Sequence, residues 1–338
     1  MEKKLEFEEL YKAYNLCLKN KKNKNGTYKF VNEELCKNLI ELMDKLNTRT
    51  YVPKPSNCYV VTEPALREIY AAQFSDRIVQ HFYMKEIEDI LEEELIEGCC
   101  SCRKEKGTDY ALKLLKNYLT KTSNYGKKNC YYLKIDLSGY FMSINRKQVS
   151  NKFEKIILEK YKGNYKEVLL YLTPVIFENN PALNCRYKCN EELRKKVPQR
   201  RKMNPDSNYG MAIGNLTAQA ASNLNLKDFD KYVTEILGFK EYVRYVDDII
   251  IVSNSKKKLI RYLPNIIEKL EETNQKINKK KTKIDTAYHG VQFLGKVSYL
   301  YGYQKPGKQL IIRVCQKGKN IQYSDKMELL SKTNSQIG

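Results

Sequence analysis

The sequence predicts an α+β fold, and three observations carry that expectation. Apolar residues recur at helical spacing in several stretches. In "VNEELCKNLIELMDKL" they are Leu35, Leu39 and Leu42; in "KKKLIRYLPNIIEKLEETNQ" they are Leu259, Leu263, Ile266, Ile267 and Leu270. Two runs, "CYYLKIDLSGYF" and "EYVRYVDDIIIV", are instead rich in β-branched and aromatic residues, as strands are. These runs cluster in the strand-rich centre of the chain. With 338 residues, more than one domain is expected.

Taken in order, residues 1–50 alternate short helical patterns with the loop "KNKKNKNGTYKF". "YVPKPSNCYVV" and "TEPALREIY" read as strand, turn and strand. Residues 71–97 form a long helical stretch, "GCCSCRKEKGT" a loop, and "DYALKLLKNYLTK" the start of another helix. The strand "CYYLKIDLSGYF" leads into a helical region over 146–176. Residues 177–209 read as irregular and basic, because Pro198 and Pro205 interrupt any helix there. A helix begins near Leu216, a hairpin spans 241–253, and an amphipathic helix containing Pro264 follows. The segments "KTKIDTAYHGVQFLGKVSYLYGY" and "KQLIIRVCQ" read as short strands, and the last twenty or so residues as helical.

Charge narrows the function classes. There are 61 Lys and Arg against 40 Asp and Glu, a net charge of +21, which suits a polyanionic partner such as nucleic acid. No stretch resembles a membrane span and the N-terminus lacks a signal-peptide core, so a cytoplasmic protein without membrane contact is expected. Ten cysteines without a secretion signal point to reduced thiols. Cys99, Cys100 and Cys102 lack a fourth ligand at zinc spacing. With only two histidines, His81 and His289, a histidine metal site or catalytic triad is poorly supported.

Three acids stand where apolar residues would be expected. Asp136 ends a hydrophobic strand, and Asp247 and Asp248 sit in a tight turn between "YVRYV" and "IIIVS". As plain turn residues they would pair with Lys134 or Arg244. If the Asp136 strand lies beside the hairpin, the three carboxylates converge and repel. Two Mg²⁺ ions about 4 Å apart would neutralise them and support in-line nucleotidyl transfer. The backbone carbonyl of Leu137 adds a further oxygen ligand to this expected site.

On these residues the chain resembles the reverse transcriptases. "YVDD" resembles their catalytic hairpin and "KIDLSGYF" their first carboxylate motif. "GMAIGNLTAQAASNLNLKDFD" resembles the loop and helix between them, and "KKKTKID" with "VQFLGKV" the segments that close the palm. "LREIYAAQFSDRIVQHFY" and "CRKEKGTDYAL" resemble the fingers. The resemblance covers about residues 50–300 and implies a right-hand polymerase fold. Residues 1–135 would be an N-terminal extension and part of the fingers, and 136–145 the first catalytic strand of the palm. Residues 146–209 would be a helical region and basic loop, 210–297 palm, and 298–338 a short thumb.

The resemblance also implies roles. Asp136 and Asp247 would hold the metals, with Asp248 supporting. Phe141, five positions past Asp136, would pack under the sugar and exclude a 2′-hydroxyl; the plain alternative is a core ring. Arg67 would clamp the incoming triphosphate, for which its rigid fork of donors is suited. Gly214 would let the nascent base pair approach the backbone, Gln219 would lie near the template nucleotide, and Lys281 near the triphosphate, with Lys279 and Lys280 as alternatives. Arg77, Lys104, Lys106 and Asn215 are candidates for nucleic-acid contact, each with a structural reading beside it.

Within the family, "IGNLTAQ" is similar to the loop of the diversity-generating retroelement enzymes of bacteria and phages, which usually carry serine where this chain has Ala218. That resemblance implies an enzyme copying a template-repeat RNA into cDNA from a DNA or RNA primer, with dNTPs, error-prone at template adenines. A small basic accessory protein, oligomeric in some arrangements, would act with it. The alternatives are a defence-associated or other bacterial group II-like reverse transcriptase and, outside the enzymes, a catalytically silent RNA-binding scaffold.

Overall fold

The computed structural model describes residues 3–18, 30, 34–63, 65–308 and 311. The described residues form a mixed α+β architecture in two compact units. One comprises those within Met1–Ile96, Ser138–Asp228 and Leu270–Lys276; the other comprises those within Glu97–Leu137, Phe229–Lys269 and Ile277–Gly338.

The first unit is mainly helical. The helix Phe74–Glu94 buries Ile78, Val79, Phe82, Tyr83, Ile87 and Leu91, a set wider than one stripe because the helix is covered on several sides. It packs against the helices Arg146–Lys160 and Lys166–Phe177 through an aromatic knot. Phe153 and Phe177 stack at 4.1 Å, Tyr83 meets Phe177 edge-on at 5.6 Å, and the Tyr83 hydroxyl bonds Thr173 Oγ1 at 2.8 Å. Pairs of this kind add about 0.5–1.5 kcal/mol beyond their burial. A small sheet lies in the same unit. β1 (Ser56–Val61) pairs antiparallel with β2 (Arg67–Ala71) and parallel with the short β4 (Cys185–Tyr187).

That third strand corrects the expectation of an irregular 177–209. Besides β4, the segment contains a short helix, Glu191–Lys195, whose start is capped by the Asn190 side chain accepting from Glu192 N–H and Leu193 N–H. The prolines do interrupt, but both lie on the C-terminal side of these elements. At the segment's end, buried Arg146 donates to the carbonyls of Tyr209 and Gly210 at 2.8 and 3.1 Å, and to that of Ser207. One side chain thus gathers the loop that leads into the helix Leu216–Asn225.

The second unit is built on a four-stranded antiparallel sheet. Its strands are β3 (Tyr131–Asp136), β5 (Tyr242–Tyr245), β6 (Asp248–Ser253) and β7 (Lys283–Thr286), in the order β5-β6-β3-β7. β6 is central, and Ile249, Ile250, Ile251 and Val252 are all buried. A strand covered on both faces reads as a continuous apolar run rather than an alternation, which accounts for "IIIV". The helix Thr108–Ser123 lays Leu112, Leu115 and Leu119 into a cluster with Tyr132, Val243, Ile250 and Val252. Each leucine buried this way contributes about 1.5–3 kcal/mol. A second meander, β8 (Val291–Phe293), β9 (Lys296–Ser298) and β10 (Gln304–Pro306), adds Val291 and Phe293 to the same core.

The helix Lys256–Glu271 runs through Pro264 without interruption. Proline removes the donor to the carbonyl of Ile260, a residue that is exposed, so water can satisfy that group. The strand expected at "KQLIIRVCQ" is not formed where it is described. Lys308 and Ile311 are helical, and Ile311 N–H donates to Gly307 O at 3.2 Å. Here the turn begun at Gly307 prevails over the β-branched composition. The rest of that segment, most of the expected thumb and the "KNKKNKNGTYKF" loop up to residue 29 lie outside the described residues. Among the described residues, no helix is long and apolar enough to cross a membrane.

Candidate active site

In the second unit the sheet register brings the predicted acids to one edge. Asp136 is the last residue of β3 and lies opposite Asp248, the first of β6. β5 and β6 are joined by Val246 and Asp247, with Tyr245 opposite Asp248 closing the hairpin. The turn is tied to the end of β3 by Leu137 N–H, which donates to Asp247 O at 3.3 Å. Leu137 itself is buried and bridges Ile277 in antiparallel fashion.

Charges of one sign, placed so, need an answer. Lys281 Nζ donates to Asp136 Oδ1 at 2.8 Å, and Asn278 Nδ2 donates to Oδ2 at 3.1 Å. Lys134 Nζ stands 3.8 Å from Asp248 Oδ1. Asp247 is left with the least help. Burial first, and then the charges of Asp248 and Asp136, push its carboxyl up to about 6. Burial also raises Asp248, against the pull of Lys134. Lys134 therefore is a partner of the turn acids, but Arg244 is not. Arg244 is fully buried and grips Asp230, with Nε at 2.8 Å from Oδ1 and Nη2 at 2.6 Å from Oδ2.

Among the described residues, no three acidic, cysteine or histidine side chains form a group closed enough to hold a metal ion. With Asp136 bonded to Lys281 and Asn278, its carboxylate is directed to those donors. The donor chemistry still fits a hard divalent cation. The three side chains offer only carboxylate oxygens, and the charges of Asp248 and Asp136 add to burial in raising Asp247.

Other candidates sit as follows. In the first unit, Arg67 opens β2, and its Nε is buried with no hydrogen-bond partner among the described residues. An orphaned guanidinium nitrogen costs free energy unless a ligand or water completes it. Gly214 has φ +113°, and a Cβ there would lie 2.7 Å from Ile69 Cγ2, so the loop presses on β2, whose Tyr70 N–H donates to Ile213 O at 3.0 Å. Asn215 does not cap the helix it precedes; its Oδ1 accepts from Ala72 N–H at 3.3 Å. Arg77 Nε donates to Ala72 O at 2.8 Å, a structural tie. Gln219 is exposed, and Ala218 is buried, so its missing hydroxyl is missing from an interior position.

Phe141 is half-buried in the short helix Tyr140–Ser143 and accepts at its carbonyl from Met211 N–H at 2.8 Å. Its neighbour Tyr140 is buried, with its hydroxyl donating to Ser222 O. In the second unit, Lys104 is exposed, whereas Lys106 donates to Glu97 O at 3.2 Å and covers the Tyr110 ring. The cysteine cluster is a packing element. Cys100 is buried and its Sγ donates to Gly98 O, Cys99 Sγ accepts from Arg244 Nη2, and Cys102 is exposed. Asn278 and Asp230 were not singled out by the sequence. A lone arginine in "YVRYV" was the available signal for Asp230, since a buried arginine demands an acid.

A family model described as reverse transcriptase (RNA-dependent DNA polymerase) matches residues 52–297. Among solved structures, the chain is similar to apo telomerase from Candida tropicalis truncated from its C-terminal domain. The identity is 12% and the TM-score 0.54, over 75% of this chain and 55% of that one. It is also similar to telomerase from Candida albicans in complex with a TWJ fragment of telomeric RNA, at 10% identity and TM-score 0.53, over 86% of this chain and 53% of that one. The chain thus spans about half the length of these telomerases, and at such identities the likeness shows the fold alone. No curated protein matches the chain. The family match spans most of the sequence and both carboxylate motifs, and on it the chain belongs to the reverse transcriptase (RNA-dependent DNA polymerase) family.

Proposed function

We propose that this protein is an RNA-directed DNA polymerase whose Asp136, Asp247 and Asp248 hold two Mg²⁺ ions. The carrying observation is the register that sets Asp136 opposite Asp248 with Asp247 at the adjoining turn. When bound, such ions activate a terminal hydroxyl and stabilise the phosphorus transition state and its leaving oxygen. The Leu137 carbonyl would supply one more oxygen. Lys281, whose side chain is exposed beside Asp136, would turn to the triphosphate where cations neutralise that carboxylate. Arg67, with its uncompleted Nε, would bind the triphosphate. Phe141 would exclude ribose, and Gly214 and Gln219 would shape the place of the nascent pair. Lys104 is the better placed of the two loop lysines for nucleic acid, because it is exposed. In subdomain terms, the four-stranded sheet would be palm and the β1–β2 hairpin fingers.

The substrates would be a primed RNA template and dNTPs, and the product cDNA. The loop "IGNLTAQ" supports the narrower reading of a diversity-generating enzyme, error-prone at template adenines and paired with a small basic accessory protein. Free thiols at every described cysteine support a reducing, cytoplasmic setting.

The test is primer extension on RNA with Mg²⁺, with and without a basic accessory protein encoded nearby. Extension by the wild type, abolished in Asp247→Ala with RNA binding retained, is the expected result. No incorporation under any of these conditions would overturn the polymerase reading. A template rich in adenine separates the narrower reading, since errors spread evenly over all four bases would remove it.

A further inference from the structure

The turn that carries Asp247 is held by residues outside the carboxylate group. Val246, its first residue, has φ +58°, a left-handed conformation that a β-branched residue keeps only under constraint. Its N–H donates to Ser101 Oγ at 3.3 Å, and its carbonyl accepts from Arg244 Nη1 at 3.3 Å. Both neighbours are themselves fixed. Ser101 is fully buried. Arg244 is locked by Asp230 and by Cys99 Sγ, which accepts from Nη2 at 3.2 Å. The backbone of the "GCCS" segment runs alongside: Arg244 N–H donates to Gly98 O at 2.8 Å, and Cys100 N–H to Arg244 O at 2.9 Å. Only glycine fits at 98, because a Cβ would fall 2.3 Å from Tyr242 O.

Stability alone does not account for this arrangement. A buried ion pair is no better for stability than well-packed apolar residues of the same volume. What the pair adds is direction. Arginine reaches from the interior to the Val246 carbonyl while its other nitrogens are held, and an apolar side chain makes no such bond. Because Asp247 O accepts from Leu137 N–H, the setting of this turn also fixes how the hairpin meets the end of β3.

We propose that Arg244, Asp230 and Ser101 are positioning residues for Asp247. The Gly98–Ser101 strap and the buried pair hold Val246 left-handed and thereby set the direction of the Asp247 carboxylate. This assigns the cysteine-rich motif a role as the strap that supports the catalytic turn. The proposal rests on the polymerase reading for its kinetic consequence only.

Ser101→Ala and Arg244→Lys test it. The first removes the acceptor of Val246 N–H; the second keeps a charge beside Asp230 and removes the reach to Val246 O. Amide hydrogen exchange at Leu137 is the main measurement, because neither variant touches that group or its acceptor. The expected result for Ser101→Ala is exchange at Leu137 faster by about threefold or more, in excess of any change at the amides of β3 and β6 away from the turn. In primer extension, kcat should fall by about tenfold to a hundredfold, with KM for dNTP within about twofold. Unchanged exchange at Leu137 in Ser101→Ala would overturn the proposal, as would an unchanged kcat in a protein that extends primers. Should Arg244→Lys fail to fold, Ser101→Ala decides alone. If the wild type extends no primer, the polymerase reading fails and the exchange measurement still decides the positioning.

Discussion

Asp136 and Asp248 are register partners on adjacent antiparallel strands, so two carboxylates stand directly opposite one another at one edge of a buried sheet. Like charges in that relation are destabilising. Lys281 and Lys134 answer them in part, and Asp247 beside them has its carboxyl raised to about 6, by burial first and then by the charges of Asp248 and Asp136.

This raised carboxyl sets a stability trend. Asp247 binds its proton more tightly folded than unfolded, so its contribution is fully present below about 4 and is lost as pH rises through about 6. Without divalent cations, Asp247→Asn should flatten that part of the pH dependence and melt no lower than wild type near pH 7.5. Mg²⁺ should raise the wild-type melting temperature more near pH 7.5 than near pH 5, and Asp247→Asn should lose most of that increment. Thermal melts across pH, with and without Mg²⁺, check both signs.

The acids were legible in the sequence because each breaks a strong local rule: charge inside an apolar, β-branched run. The pairing that sets Asp136 opposite Asp248 was legible too, as a condition on where the Asp136 strand lies. The partner of Arg244 was not. Lys134 and Arg244 both stood near the turn acids in sequence, yet Arg244 lies on the buried face and finds Asp230, a choice made by tertiary packing. The role of "GCCSCR" was hidden for the same reason. Its contacts reach from residues 98–101 to residues 242–246, and no local spacing announces them. Composition also misread "KQLIIRVCQ" as a strand, where Lys308 and Ile311 are helical.

Gly214 offers a test of how closely the "IGNLTAQ" loop must lie on β2. Its φ of +113° and the 2.7 Å approach of a Cβ to Ile69 Cγ2 make alanine strained on both counts. Gly214→Ala should destabilise the protein by about 1–3 kcal/mol in denaturant titration. It should also raise KM for dNTP, because Arg67 and Ile69 share the strand that the loop would push. A stability equal to wild type would show that the loop can yield without cost.

The net charge of +21 makes a prediction about salt. Each lysine or arginine that neutralises a phosphate of single-stranded nucleic acid contributes about −0.7 to the slope of log affinity against log salt. Binding of primed RNA should therefore weaken steeply with salt. Lys104→Ala should make the slope shallower by about 0.7 while leaving the folded stability unchanged, because Lys104 is exposed. Fluorescence anisotropy over a salt series reads the slope directly, and an unchanged slope would remove Lys104 from the interface.

Phe141 and Tyr140 are adjacent aromatic rings with centroids 5.6 Å apart, and their environments separate their roles. Tyr140 is buried and anchored to Ser222 O, so its loss would be felt as stability. Phe141 is only half-buried, and the bond that holds its segment runs through its backbone carbonyl to Met211 N–H, which a side-chain change leaves intact. Phe141→Ala should therefore fold and still extend with dNTPs. If the ring excludes a 2′-hydroxyl, the ratio of ribonucleotide to deoxynucleotide incorporation should rise by about tenfold or more, the range that removal of one steric contact produces. The measurement is kcat/KM for a matched ribonucleotide and deoxynucleotide pair on one template. An unchanged ratio with reduced stability would make Phe141 a core residue, and discrimination against ribose would then lie elsewhere in the site.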